Sequence, residues 1–336
     1  MSIKLGLIGA GRIGKVHAQV IAHAIPEAEL VAVADYVEDA AAALARTYNV
    51  PFVSADHRDV IHHDEVEAVV IASSTDTHAP FIIEAARAGK PIFCEKPIAA
   101  DLAAIDEALQ AVEEADVKLQ IGFNRRFDPS FQRIKQAIED GTIGTPHLLH
   151  IISRDPAPPP IEYVKVSGGM FFDMTIHDFD MARFLFGEVE EISAAGAVLV
   201  DEAIGEAGDI DTALITLKFV SGAIGSIDNS RRAVYGYDQR VEVFGSKGRA
   251  ANDNLYPDAV TLSDAASVRR ASLPLNFFLE RYMDSYEREM RAFVRAVAQD
   301  EPVPVNGHDG RVPVVMALAA RMSYEQNRPV KLSEVE

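Results

Sequence analysis

Through the first third of the chain, short unbroken apolar runs are each followed by a stretch with helical spacing. The run from Lys4 to Ile8 enters Gly9-Ala-Gly11-Arg-Ile-Gly14. Ile13–Ile25 then reads as a helix, and Leu30–Ala34 as a second strand ending at Asp35. The pattern goes on with a helix over Val37–Tyr48, a strand over Val66–Ala72 and a helix over Pro80–Ala88. Pro91–Cys94 is a further strand, Leu102–Ala115 a helix and Lys118–Gly122 a strand. Strands apolar on both faces, alternating with helices, predict a doubly wound parallel sheet. Ligands of such a sheet sit beyond the carboxyl ends of its strands. Three loops fall there: 73–78, 95–97 and 123–128.

The pattern changes near residue 124. Pro129–Asp140 reads as a helix and His147–Ser153 as a strand, whereas Arg154–Pro160 is too rich in proline for a sheet interior and reads as an extended loop. Phe172–Phe186 has helical spacing and stops at Gly187. Beyond it the period is two. Ala213, Ile215, Leu217 and Phe219 mark one face of a strand, Ser221-Gly222 a hairpin turn, and Arg240–Phe244 another strand. Leu214, Thr216 and Val220 leave the other face half apolar, covered either by a second subunit or, as the plainer explanation, by a helix. Tyr282–Gln299 and Arg311–Tyr324 close the chain as helices. The predicted class is α/β. Residues 1–123 form a domain with a doubly wound parallel sheet, and residues 124–336 an α/β domain with a mostly antiparallel open sheet.

The three glycines are spaced as in the Rossmann dinucleotide turn, between a strand and a helix. Gly9 allows the tight turn, Gly11 lets backbone approach a pyrophosphate, and Gly14 lets helix pack on strand. Arg12 and Ile13 complete the turn, where the helix N-terminus offers unpaired N–H groups to phosphate. Asp35 stands where a carboxylate accepts from a ribose 2′-OH and repels a 2′-phosphate. No Arg or Lys follows until Arg46, so NAD is expected rather than NADP. Ser73, Ser74, Thr75 and His78 occupy a strand end facing the same ligand, although the hydroxyls also suit helix capping.

The formal charge of −19 (32 Lys and Arg against 51 Asp and Glu) argues against nucleic acid and anionic membrane surfaces. No apolar run is long enough to span a bilayer, and the N-terminus lacks the layout of a signal peptide. One cysteine, Cys94, excludes an intrachain disulfide and suits a reducing compartment, so a cytoplasmic protein is expected.

Two groups of residues can carry chemistry. Lys96, in Glu95-Lys96-Pro97 at a strand end, can stabilise an alkoxide as hydride leaves its carbon; a solvated surface lysine is the other reading. Asp173 and His177 are four apart on the predicted helix. The carboxylate can orient the imidazole and raise its basicity, leaving a ring nitrogen to take a hydroxyl proton; a pair that only steadies the turn is the alternative. A metal at Asp173 and His177 needs a third ligand that the sequence does not supply, so none is expected. Arg125-Arg126 offers a guanidinium pair to a charged substrate. Tyr235 offers a phenol to a polar one, and a sheet-edge turn explains it equally well.

With the glycine turn, Glu95-Lys96-Pro97 and Asp173-x-x-x-His177 in one order, the chain resembles the glucose–fructose oxidoreductase/inositol dehydrogenase family. The resemblance takes in Gly122-Phe-Asn-Arg-Arg-Phe-Asp128 and Gly168–Arg183, and the second stretch looks most like the inositol dehydrogenases. It implies that Lys96, Asp173 and His177 surround a reacting hydroxyl, with His177 as base, Asn124, Arg125, Asp155 and Tyr235 nearby, and Glu95 on the cofactor side. It also implies a neutral polyol or sugar as substrate, inositol first and an aldose or anhydrosugar second, and tetramers joined through the second domain's sheets. A dinucleotide-binding regulator without activity is the remaining class. Asp155 stands near where some inositol dehydrogenases carry asparagine, and an ionised acid accepts hydrogen bonds without donating them.

Overall fold

The computed structural model describes residues 2–335, and each apolar run of the first third is a strand buried on both faces. β1 (Ile3–Ile8), β2 (Ala28–Ala34), β3 (Phe52–Ser54), β4 (Ala68–Ile71), β5 (Ile92–Glu95) and β6 (Leu119–Gly122) form a parallel sheet in the order β3-β2-β1-β4-β5-β6. They are joined by α1 (Arg12–Ala24), α2 (Glu38–Tyr48), α3 (His57–Ile61), α4 (Thr75–Arg87) and α5 (Leu102–Ala115). The strand order reverses between β1 and β4. The glycine turn and the Ser73 loop therefore open side by side at the switch point, where a doubly wound sheet binds its ligand.

Helix α4 begins at Thr75, ahead of the expected Pro80, which lies inside it. Proline is at home in a first turn, but it removes only one bond of the ladder. The turn ahead of it is held by Thr77, whose N–H and hydroxyl both donate to the Ser74 carbonyl.

The second sheet is built from β7 (Pro146–Arg154), β8 (Val189–Ala197), β9 (Thr212–Phe219), β10 (Ile224–Ser230), β11 (Asp238–Gly245) and β12 (Gly248–Ala251), with β13 and β14 (Thr261–Leu262 and Arg270–Ala271) apart and β15 (Val330–Lys331) at its edge. The order is β12-β11-β7-β10-β9-β8-β15. Every pairing is antiparallel except β7 with β10. The helices of this part are α6 (Pro129–Glu139), α7 (Ile161–Val164), α8 (Met170–Asp173), α9 (Ile176–Phe186), α10 (Glu202–Glu206) and α11 (Phe278–Arg281); α12 (Met283–Ala298) and α13 (Gly307–Gln326) follow.

By its contacts the chain divides into two units. One comprises the residues up to Phe127 with Asp284–Val314, the other Asp128–Met283 with the residues from Val315 on. The sequence suggests two consecutive segments, 1–123 and 124–336. The contacts instead return residues 284–314 to the parallel sheet. There Gln120 Nε2 donates to the Glu289 carbonyl at 3.0 Å, Ile121 N–H donates to Val305 at 3.0 Å, and Gly310 packs on Ile98 and Ile121.

On β9, Ala213, Ile215, Leu217 and Phe219 are buried as the period-two pattern requires. The opposite face corrects the simpler expectation of a covering helix. Leu214 and Ile224 are more than half exposed, and Leu148 and Phe244 more than a third. Ile224 and Phe244 each pair with Leu148, so the three make one apolar row across β10, β7 and β11.

Asp211, just ahead of β9, shows how this unit buries charge. Burial by itself raises its pKa. The N–H groups of Leu199, Asp201 and Val200 and the Thr212 hydroxyl donate to its carboxylate and together hold the pKa below the ordinary value. A depressed folded-state pKa contributes stability that is present above the unfolded value and lost as pH falls through the folded one. Asp211→Asn is therefore expected to lower unfolding stability by about 2–3 kcal/mol at neutral pH. In urea titrations the gap from the parent should close below about pH 4.

Candidate active site

The first unit carries a cradle made by missing side chains. A Cβ on Gly14 would stand 2.0 Å from the Gly9 carbonyl oxygen, and one on Gly9 would stand 2.4 Å from that of Ala72, so helix, turn and β4 close up only around glycine. Gly9 also has φ +106°, which L side chains rarely adopt. A Cβ on Gly11 would meet nothing within 4 Å, and Gly11 is the N-cap of α1, which no side chain caps. Open space before an uncapped helix N-terminus fits a pyrophosphate. Arg12 and Ile13 are the first residues of α1. Asp35 follows β2, and its two carboxylate oxygens accept from Ala10 N–H at 2.6 Å and Val37 N–H at 2.8 Å. The acid is thereby held against the glycine turn.

The start of α4 is tied to the loop after β5. His78 is buried, with Nδ1 2.8 Å from the Pro97 carbonyl and Nε2 3.2 Å from that of Ser73. Burial pushes its pKa below the ordinary value, so the ring is neutral and carries one N–H. The shorter contact assigns that proton to Nδ1. The side chain expected at the cofactor thus donates from α4 to the Pro97 carbonyl and ties the start of that helix to the loop after β5. Ser73 and Thr77 hydroxyls meet at 2.6 Å, Ser74 is the N-cap of α4 without a side-chain capping bond, and Thr75 is its first residue.

Glu95 ends β5, and its Oε1 lies 2.7 Å from Nε2 of the fully buried His17 on α1; a Cβ on Gly122 would stand 3.0 Å from its other oxygen. Lys96 comes next, half-buried, before a cis bond to Pro97. The burial of His17 and its partner 78 residues away leave no mark in the sequence around it and appear only in three dimensions. Asn124 and Arg125 are buried in the 3-10 turn Asn124–Phe127, where Arg126 donates to Asp309 at 3.2 Å.

In the second unit the expected helix Phe172–Phe186 is interrupted. α8 ends at Asp173 and α9 starts at Ile176. Thr175 N–H donates to Met170, five residues back, and His177 N–H to Met174, three back. Asp173 and His177 are therefore not successive turns of one regular helix, and their shared face cannot be read from i, i+4 spacing. Polar side chains hold the interruption. The Thr175 hydroxyl donates to Asn229 Oδ1 at 2.6 Å, and Asn229 Nδ2 donates to Asp178 at 2.8 Å and to the Ser153 carbonyl at 3.3 Å. Breaks in a helical ladder of this kind recur at functional sites.

Both Asp173 and His177 are half-buried. Asp173 accepts from Arg231 Nη1 at 3.1 Å and from the Tyr163 hydroxyl at 2.8 Å. Neither partner was found by sequence reasoning. Arg231 lies next to Arg232 with no motif to mark it, and Tyr163 follows the proline loop with none around it.

Asp155 follows the end of β7, its N–H donating to Ser230 and its carbonyl accepting from Ala233. The Tyr235 hydroxyl donates to Asp238 at 2.7 Å and accepts from Arg154 Nη1 at 3.0 Å, while Arg154 also pairs with Asp228. Burial and then the Asp238 carboxylate raise the Tyr235 pKa, so the phenol stays protonated. Among the described residues no three His, Cys, Asp or Glu side chains are grouped to hold a metal ion, and no helix is long and apolar enough to cross a membrane.

Comparison with known proteins agrees with both halves. Residues 3–123 match a family model described as an oxidoreductase family with an NAD-binding Rossmann fold, and residues 131–251 match one described as a GFO/IDH/MocA C-terminal domain. The chain is 51 % identical over 334 residues to a myo-inositol 2-dehydrogenase of Thermotoga maritima, covering 99 % of each. It is 45 % identical over 334 residues to an inositol 2-dehydrogenase of Rhizobium meliloti, covering 99 % of this chain and all of that one. A scyllo-inositol dehydrogenase of Lactobacillus casei, solved with bound NAD(H) and scyllo-inositol, superposes with a TM-score of 0.92 at 31 % identity, covering 99 % of this chain and all of the other.

Asp35 supplies the test of the cofactor geometry. Asp35→Ala is expected to reduce the preference for NADH over NADPH about tenfold in fluorescence titrations. An unchanged ratio would show that the acid does not read the ribose.

Proposed function

Because the chain belongs to the GFO/IDH/MocA family of oxidoreductases, we propose that it is an NAD-dependent inositol 2-dehydrogenase oxidising one ring hydroxyl of myo- or scyllo-inositol to a ketone. One observation carries the reading: the likeness to inositol 2-dehydrogenases runs the length of the chain, over the cofactor half and the acid–histidine half alike. Myo-inositol is the first candidate, since the 51 % identical relative is named for it.

Oxidising a secondary alcohol removes a proton from oxygen and a hydride from carbon. NAD, when bound, accepts the hydride. Lys96 donates a hydrogen bond to the reacting hydroxyl and stabilises the alkoxide character that develops there. His177 takes the hydroxyl proton on a ring nitrogen, as a general base. Asp173, with a guanidinium against one oxygen, is an acceptor that orients the substrate. Asn124, Arg125, Asp155 and Tyr235 supply the remaining polar contacts. Tyr235 does so with its hydroxyl already oriented by Arg154 and Asp238.

The apolar row Leu148, Ile224 and Phe244 supports assembly through the second sheet, and we read it as the interface of a homotetramer in the cytoplasm. Phe244→Glu is expected to give smaller species in light scattering, because a charge in a desolvated interface has no partner.

NAD reduction with myo-inositol, scyllo-inositol, glucose and xylose tests the function. Turnover with the inositols at least tenfold above the aldoses in kcat/KM is expected. Better turnover of an aldose would favour a sugar dehydrogenase, and tight NAD binding without turnover a regulator. Lys96→Ala should lower kcat/KM by about 10²- to 10⁴-fold, and unaltered turnover would remove Lys96 from the mechanism.

A further inference from the structure

The two oxygens of Asp173 are held by partners of different kinds. Oδ2 accepts from Arg231 Nη1 at 3.1 Å, and Arg231 is 1 % exposed. The same guanidinium reaches Asp209 Oδ2 at 3.4 Å, while Asp209 Oδ1 accepts from Met170 N–H, at the start of α8, at 3.0 Å. Gly169, at φ +88°, makes room for this, since a Cβ there would stand 3.0 Å from Asp209 Oδ1. Asp209 therefore braces the first residue of α8 and Arg231 the last. A guanidinium buried between two carboxylates has no water to exchange with, so this side of Asp173 is fixed.

Oδ1 faces a different partner. It accepts from the phenol of Tyr163 at 2.8 Å, and Tyr163 is 48 % exposed on α7, the single turn that follows the proline loop. A phenolic O–H on a carboxylate is the same kind of donor as a polyol hydroxyl.

We propose that Tyr163 is a specificity-determining residue. Its phenol occupies the acceptor position on Asp173 until a substrate hydroxyl takes that position, and Arg231 keeps the carboxylate still during the exchange. The proposal rests on the dehydrogenase reading, which makes Asp173 a substrate contact. Replacing one O–H donor by another conserves a charge-assisted hydrogen bond. A molecule without a hydroxyl at that ring position cannot displace the phenol, so it gains no bond to Asp173 and meets Tyr163 in its place. The contact also lowers apparent affinity by the fraction of molecules in which Tyr163 holds the position.

Tyr163→Phe removes the competing donor and keeps the ring. Water then takes the acceptor position and is readily displaced. In NAD reduction with myo- and scyllo-inositol, KM for the polyol that turns over is expected to fall about three- to tenfold. The kcat value should stay within about twofold. An unchanged KM overturns the proposal. A raised KM also overturns it, and would make Tyr163 a substrate ligand or a support for Asp173. So does a lower kcat without a lower KM. A parent enzyme that turns over neither polyol would sink the dehydrogenase reading and this proposal with it. Turnover by the parent with no fall in KM for the variant sinks this proposal alone.

Discussion

Arg231 is 1 % exposed, and a guanidinium can leave water only where anions replace it. Asp173 and Asp209 do so, and the need to bring them there shapes the segments around them. Asp209 stands where Gly169 leaves space for it, α8 is one turn long between its two braces, and the ladder breaks before α9 begins. The neighbouring polar groups obey the same constraint. Asn229 uses its carbonyl on Thr175 and its amide on Asp178 and Ser153, and Asp211 collects three backbone N–H groups. The carboxyl end of β10 thus gathers buried charges and amides that hold one another in place, and the acid of the proposed chemistry is held by that cluster.

The first unit solves a different problem by different means. A dinucleotide needs backbone close to phosphate, and closeness there comes from missing side chains at Gly9, Gly11 and Gly14. The polar side chains of this unit then act as braces. His78 ties the start of α4 to the loop after β5, His17 holds the Glu95 carboxylate beside Lys96, and Asp35 holds the glycine turn to the end of β2. A neutral His78 is consistent with its bracing role, because one N–H directed at one carbonyl defines a single geometry.

The parallel sheet, its glycine turn and the acid at the end of β2 could be read directly from the chain. These features are local: strand, turn, helix and strand lie within about 30 residues, and each carries its own periodicity. The Phe172–Phe186 segment shows the limit. Its spacing is helical throughout, yet Thr175 bonds to Asn229, 54 residues on, and the helix breaks there. The half-apolar face of β9 shows it again, since alternation marks which residues share a face and not what covers them.

By itself, then, the sequence determined the α/β class, the cofactor half and the residue types at hand for chemistry, because propensity and spacing act between neighbours in the chain. The tertiary structure decided which partners those residues have. Arg231 reaches Asp173 across 58 positions, Glu95 reaches His17 across 78, and residues 284–314 return to the first sheet. The physical reason is that burial creates these pairings. A charge or amide removed from water must find a partner wherever the fold brings one, and that distance in space leaves no periodic trace along the chain.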